Sequence, residues 1–129
     1  MTYRHLLQLA FFIVLGFLGW DRAISNDGLV HFIDRHPTTW RADRVLLVVG
    51  GFHELFNREQ RALEIYQRIL ENYPDSASAE GALFGAASCL ERLRRWREAI
   101  AMYQTCLDKY PQGRFSKSVN NNLQILRSR

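Results

Sequence analysis

Residues 95–103, Arg95-Trp96-Arg97-Glu98-Ala99-Ile100-Ala101-Met102-Tyr103, repeat in outline the stretch Arg58-Glu59-Gln60-Arg61-Ala62-Leu63-Glu64-Ile65-Tyr66, which stands thirty-seven positions earlier. Arg opens both runs, Ala holds the fifth place and Tyr the ninth. The chain's three prolines, Pro37, Pro74 and Pro111, keep the same interval. Columns form beside them: Ile33, Leu70 and Leu107, then Asp34, Glu71 and Asp108, then His36, Tyr73 and Tyr110. A fixed period of about 20 to 50 residues marks a solenoid, in which each unit buries its apolar face only by stacking on its neighbours.

Between the prolines, Arg41 to Phe56, Arg58 to Asn72, Ala77 to Leu93 and Arg95 to Lys109 place apolar residues at helical spacing, as in Leu63, Tyr66, Ile69 and Leu70. Each period therefore holds two helices, and the expected fold is an all-α solenoid of antiparallel helix pairs. Thr39 and Ser76 share a column suited to an N-cap, with Asp43 and Glu80 in the positively polarised first turn. Asn57 with Gln60 has the pattern of a capping box. Proline then punctuates each unit, because it lacks the amide a helix interior needs and disfavours helix in the preceding residue.

The second unit resembles the tetratricopeptide repeat family. Ala86 and Ala87 stand where that family has its Leu-Gly pair, Leu90 its tyrosine, Ala99 and Cys106 its small contact residues, Tyr103 its aromatic and Pro111 its closing proline. The first unit is a looser copy: Val49-Gly50 fills the Leu-Gly columns, but His53 occupies an aromatic column and Ile69 a small one. The family's usual period is about 34 residues, so three extra residues lengthen the turns. The junction Tyr73-Pro74-Asp75-Ser76 is similar to that of bacterial envelope members. The resemblance implies full units at 41–76 and 77–113, a half-unit at 23–37 and a polar capping helix at 114–127 that carries Asn120, Asn121 and Asn122. Residues 23–129 then form one repeat domain, preceded by a separate segment at 1–22.

Leu6 to Trp20 contains fifteen residues without a charge and follows Arg4. Its length lies nearer a signal-peptide core, about 7 to 15 residues, than a span of about 20. Yet the nearest small-x-small site, Ala23-Ile24-Ser25, is separated from it by Asp21 and Arg22, and Trp20 sits where an interfacial aromatic anchors a span. Ser25 also shares the column of Ala62 and Ala99, so cleavage there would trim the half-unit. We expect an uncleaved single-pass anchor with the repeats outside the cytoplasm, the alternative being a secreted or periplasmic chain cut near Ser25.

Hydrophobic residues at 47% and charged residues at 23% describe a folded domain rather than a disordered chain. The net charge of +4 is unevenly shared: residues 1–91 hold eight basic and eleven acidic groups, residues 92–129 nine and two. Arg92, Arg94, Arg95 and Arg97, with Arg114 and Lys117 beyond, form a candidate basic patch able to attract anionic lipid or nucleic acid. Within it Trp96 is expected to pack at its helix start.

No constellation for catalysis is present. His5, His31, His36 and His53 form no metal-binding pair, and His36 and His53 read as packing residues. Gly50-Gly51 lacks the lysine of a phosphate loop, and Gly50 reads as a site of close helix packing. No cofactor is expected. Cys89 and Cys106 fall in two helices of one unit, where a disulfide is permitted outside the cytoplasm, but Cys106 holds a small buried column and reads as a compact apolar residue.

The family resemblance implies a partner-binding face lined by the first helix of each unit. Carried over by column, this groove holds Arg44, Leu47, Gly51 and Glu54, then Phe84, Ser88, Glu91 and Arg92, and finally Asn121. Leu47, Gly51 and Gly85 stand where chaperone-binding members hold a C-terminal carboxylate, so that mode is not expected. The implied function is a membrane-tethered adaptor that binds a peptide or helix of another protein. The alternative is docking on anionic lipid or nucleic acid through the basic last third. Exposed edges beside the end helices also leave room for a second copy of the chain.

Overall fold

A computed structural model describes residues 28–35 and 41–129, with Gln8, Ile13 and Gly16 as isolated helical positions. All regular structure among the described residues is helical: α1 (Gly28–Arg35), α2 (Ala42–Leu55), α3 (Glu59–Asn72), α4 (Ala79–Arg92), α5 (Trp96–Lys109) and α6 (Ser116–Arg127). The chain divides into compact units at residues 1–40 and 41–129. In the first, α1 buries Val30 and Ile33 and exposes His31. Apart from Gln8, Ile13 and Gly16, the Leu6–Trp20 segment lies outside the described residues, as do Thr39, His36 and Pro37. No described helix is long and apolar enough to cross a membrane.

In the second unit each helix packs against the next in sequence, and α2 also meets α4. First helices therefore form one layer and second helices the other. Within a unit the connection is short, Phe56–Arg58 or Leu93–Arg95, whereas between units it runs from Tyr73 to Ser78 or from Tyr110 to Phe115. The core is filled by Leu46, Leu63, Ile69, Val119 and their neighbours, with His53 buried among them as expected of a packing residue. Cys89 and Cys106 are free and buried, in keeping with the reading of Cys106 as a compact core residue.

Tyr66 of α3 holds the two first helices apart at a set distance. A Cβ added at Gly50 would lie 2.5 Å from its Cε1, and one added at Gly85 would lie 2.5 Å from its Cε2. Opposite ring edges thus press on bare backbone of α2 and α4, which explains Gly50 as a site of close approach. In the following unit Tyr103 takes the same column, and Asn122, equivalent to Gly85, donates to its hydroxyl at 2.9 Å.

The units are also tied by a repeated polar contact. Ser78 donates to Asp43 Oδ2 at 2.7 Å, and thirty-seven positions later the Phe115 amide donates to Glu80 Oε1 at 3.0 Å. Gly113 lies against that Glu80 carboxylate with no room for a Cβ. Both acids sit in the first turn of their helices, as expected.

The capping assignments need correction. Ser76 does not cap α4, since the helix begins after Ser78, and the Ser76 hydroxyl makes no hydrogen bond. The turn closes on backbone alone, with the Ser76 amide on Tyr73 O and the Ala79 amide on Ser76 O, each at 3.1 Å. Nor do Asn57 and Gln60 form a capping box. Asn57 adopts φ 54° and ends α2, its amide donating to Glu54 O and that of Arg58 to His53 O. This is the Schellman closure, which needs a left-handed residue. Arg94, at φ 60°, ends α4 in the same way. Gln60 turns its amide toward Glu64.

Because Tyr66 cannot leave one glycine without striking the other, Gly50→Ala and Gly85→Ala should each destabilise the chain by about 1–3 kcal/mol. Gly51→Ala, whose Cβ would stand 3.9 Å from the Tyr66 hydroxyl, should be neutral or stabilising by about 0.5–1 kcal/mol. Urea denaturation of the three variants measures the contrast.

Candidate functional site

The face built by the first helices carries a cavity of about 320 Å³ lined by Gly51, Glu54, Leu55, Asn57 and Arg92. Consecutive units share it: α2 and its closing turn supply four of the lining residues, and the last residue of α4 supplies the other. Gly51 opens toward it because the neighbouring Gly50 is turned onto Tyr66. Arg92 is held over the cavity by Glu59 Oε1, 3.5 Å from its Nε, and donates to Asn57 Oδ1 at 3.5 Å.

Glu54 forms the inner wall. Its Oε1 accepts from the Cys89 thiol at 3.6 Å, and its carboxylate also takes a hydrogen bond from Tyr66. Burial, reinforced by the negative charge of Glu54, pushes the Tyr66 phenol and the Cys89 thiol upward from their ordinary ranges. The pair recurs one unit later, where Tyr103 donates to Glu91 Oε2 at 3.0 Å while accepting from Asn122. Each carboxylate lies in the last turn of its helix, at the end where the backbone dipole is negative. Both are tied to the second helix by a phenol, so the floor keeps acceptor oxygens at fixed places.

The expected groove residues divide into three groups. Gly51, Glu54 and Arg92 meet in the cavity. Ser88 and Glu91 are half-buried and continue the same face, while Arg44 and Asn121 are exposed. Leu47 and Phe84 also serve packing. Leu47 fills the space over Gly81, where a Cβ would meet its methyl groups at 3.3 Å. Phe84 stacks on Phe115 with centroids 4.6 Å apart and planes 10° from parallel. Leu55 and Asn57 escaped the column reading because an apolar residue at a helix end and a turn asparagine both read as local structure.

The basic patch is dispersed. Arg92 turns into the cavity, and Arg95 forms a bidentate pair with Glu98 at 2.8 and 2.5 Å. That pairing raises the Arg95 pKa and lowers that of Glu98. Arg114, with its guanidinium 5.9 Å from the Phe115 ring centre, and Lys117 belong to the opposite end of α5. Trp96 is not packed away at its helix start: it is exposed, and the guanidinium of Arg129 covers it at 5.1 Å.

A layered array of antiparallel helix pairs, with one face of first helices left open, defines a helical-repeat interaction protein. Residues 51–76 and 81–113 match the Tetratricopeptide repeat family, and the chain is a tetratricopeptide repeat protein over these units. Such repeats are protein–protein interaction modules. A search of the curated proteins gave no match.

Burial raises the Cys106 thiol from 9.0 to about 11, and Cys89 and Tyr66 move the same way. Since the folded state favours the neutral forms, their contribution is complete below the unfolded values of 9.0 and 10.0 and declines as pH rises through them. Thermal stability should therefore fall above about pH 9. At pH 8 a thiol reagent should find neither cysteine until denaturant is added, and both afterward.

Proposed function

We propose that this chain is a membrane-tethered adaptor in which the first-helix face takes a helix or extended segment of another protein. The observation that carries this reading is the cavity shared by Gly51, Glu54 and Arg92 of successive units. A bound segment would meet fixed acceptors at Glu54 and Glu91, a guanidinium donor at Arg92, and apolar surface from Leu47. Such mixed lining suits a peptide, which brings backbone donors and acceptors together with apolar side chains. The apolar run Leu6–Trp20 supplies the tether, and the Tyr73-Pro74-Asp75-Ser76 junction supports a place in a bacterial envelope assembly.

Ser88 is half-buried at the centre of α4, on the groove face and outside the core. Ser88→Arg should fill the groove, leave helix content and unfolding midpoint within about 0.5 kcal/mol of the parent chain, and abolish co-purification of the partner from native membranes. Partner capture that survives in a folded Ser88→Arg chain would exclude this face. Intact-mass measurement of the native protein should retain Met1 or its processed neighbour; a mature start at Asn26 would remove the tether.

A further inference from the structure

The helix register gathers three segments at one end of the 41–129 unit. The α2–α3 turn and the end of α4 meet through Arg92, which touches both Glu59 and Asn57. The start of α5 and the chain's last residue meet through Arg129 and Trp96. Four large apolar side chains are exposed there: Leu55 at 79%, Phe56 at 41%, Trp96 at 36% and Ile125 at 53%. Among them stand Arg94, Arg97, Arg127 and Arg129, all exposed. The nearby acids are engaged elsewhere, with Glu54 and Glu91 on tyrosines, Glu59 on Arg92 and Glu98 on Arg95. A second cavity, of about 260 Å³, opens between Arg94, Arg95, Trp96, Arg97 and Glu98.

We propose that this end docks on an anionic membrane surface, with Trp96, Leu55, Phe56 and Ile125 at headgroup depth and the arginines on lipid phosphates. A purely electrostatic partner would need the guanidinium groups alone. The addition of an exposed indole and three exposed aliphatic or aromatic side chains matches the interface of a bilayer, where amphipathic rings and cations settle together. The backbone points the same way. Arg94 occupies a left-handed position that asparagine fills in the preceding unit, and a long side chain there is less favourable than the residues such a position prefers. A guanidinium is thus held at the apex of the end at some expense of stability. The opposite end, around Tyr73–Ser78 and Tyr110–Phe115, mixes Asp43, Asp75, Glu80 and Asp108 with Lys109, Arg114 and Lys117 and has no comparable apolar cluster among its described residues.

The full chain contains three tryptophans, so Trp20→Phe with Trp40→Phe leaves Trp96 as the only emitter. This chain is mixed with phosphatidylcholine vesicles with or without phosphatidylglycerol, and Trp96 is probed with aqueous acrylamide and with brominated acyl chains. Shielding from acrylamide and quenching by bromine are expected only where the anionic lipid is present, and both should weaken as salt is added. Arg94→Asn with Arg97→Gln should lower the ratio of docked to free Trp96 about thirty-fold, the equivalent of two cationic contacts at about 1 kcal/mol each. The same pair should not lower the unfolding midpoint. Ser88→Arg should leave docking unchanged, which separates this surface from the groove. Where the double Trp variant loses helix content, 5-fluorotryptophan in the unmodified chain reports the same site through the resonance that Trp96→Phe removes. Trp96 open to acrylamide in anionic vesicles would overturn the proposal. So would quenching by a single-stranded oligonucleotide without shielding by vesicles, which would assign the surface to nucleic acid.

Discussion

The arrangement of this repeat domain depends on one ring. Tyr66 reaches from the second helix of its unit between the first helices of two units, and each of those helices meets it with a glycine. The ring is too rigid to yield, so its width sets how closely α2 and α4 approach. The same residue reaches the candidate site: its hydroxyl engages Glu54, and that carboxylate lines the cavity. Packing and recognition are therefore coupled through a single side chain. A change that loosens the helix layer also moves the acceptor that a bound segment would meet.

Much of this was legible in the sequence because the repeat assigns every position a column. Helix limits follow from the period, and Gly50, His53 and Cys106 could be read as packing residues from their columns alone, whereas Cys89 could not. The caps were less legible for a chemical reason. Asparagine suits both a helix start and the left-handed position after a helix end, and column membership places Asn57 at a turn without saying which helix it serves. Ser76 and Ser78 raise the same difficulty, since a hydroxyl near a helix start can accept from that helix or donate across to a neighbour. Here Asp43 accepts the hydrogen bond of the Ser78 hydroxyl.

The candidate surfaces were legible to different degrees. Gly51, Glu54 and Arg92 were reached by column because the cavity repeats the logic of the array. The exposed end was reached only in part: Arg94 and Arg97 stood in the basic patch, but the rest of that end depends on residues that break the repeat. Arg129 lies beyond the last turn of α6, and nothing in its spacing pairs it with Trp96. Leu55 and Phe56 fit the apolar period of α2, although both face outward. A charge imbalance read along the chain becomes, in space, a contrast between two ends of a bundle. Arg114 and Lys117, near neighbours of the other arginines in sequence, fall on the far side of that division.

The glycine pair around Tyr66 also bears on how an array like this can grow. Its first-unit slot has Gly50 on one side and Gly85 on the other, whereas the second-unit slot around Tyr103 has Ala87 and Asn122. The duplicated units have therefore ceased to be interchangeable. An additional copy inserted after Ser76 would have to present a bare backbone to Tyr66 and offer its own tyrosine to Gly85. A copy of residues 77–113 meets both with its own Gly85 and Tyr103, whereas a copy of 41–76 would set Val48 against the Tyr66 ring, so the array can lengthen at that junction by duplicating its second unit but not its first.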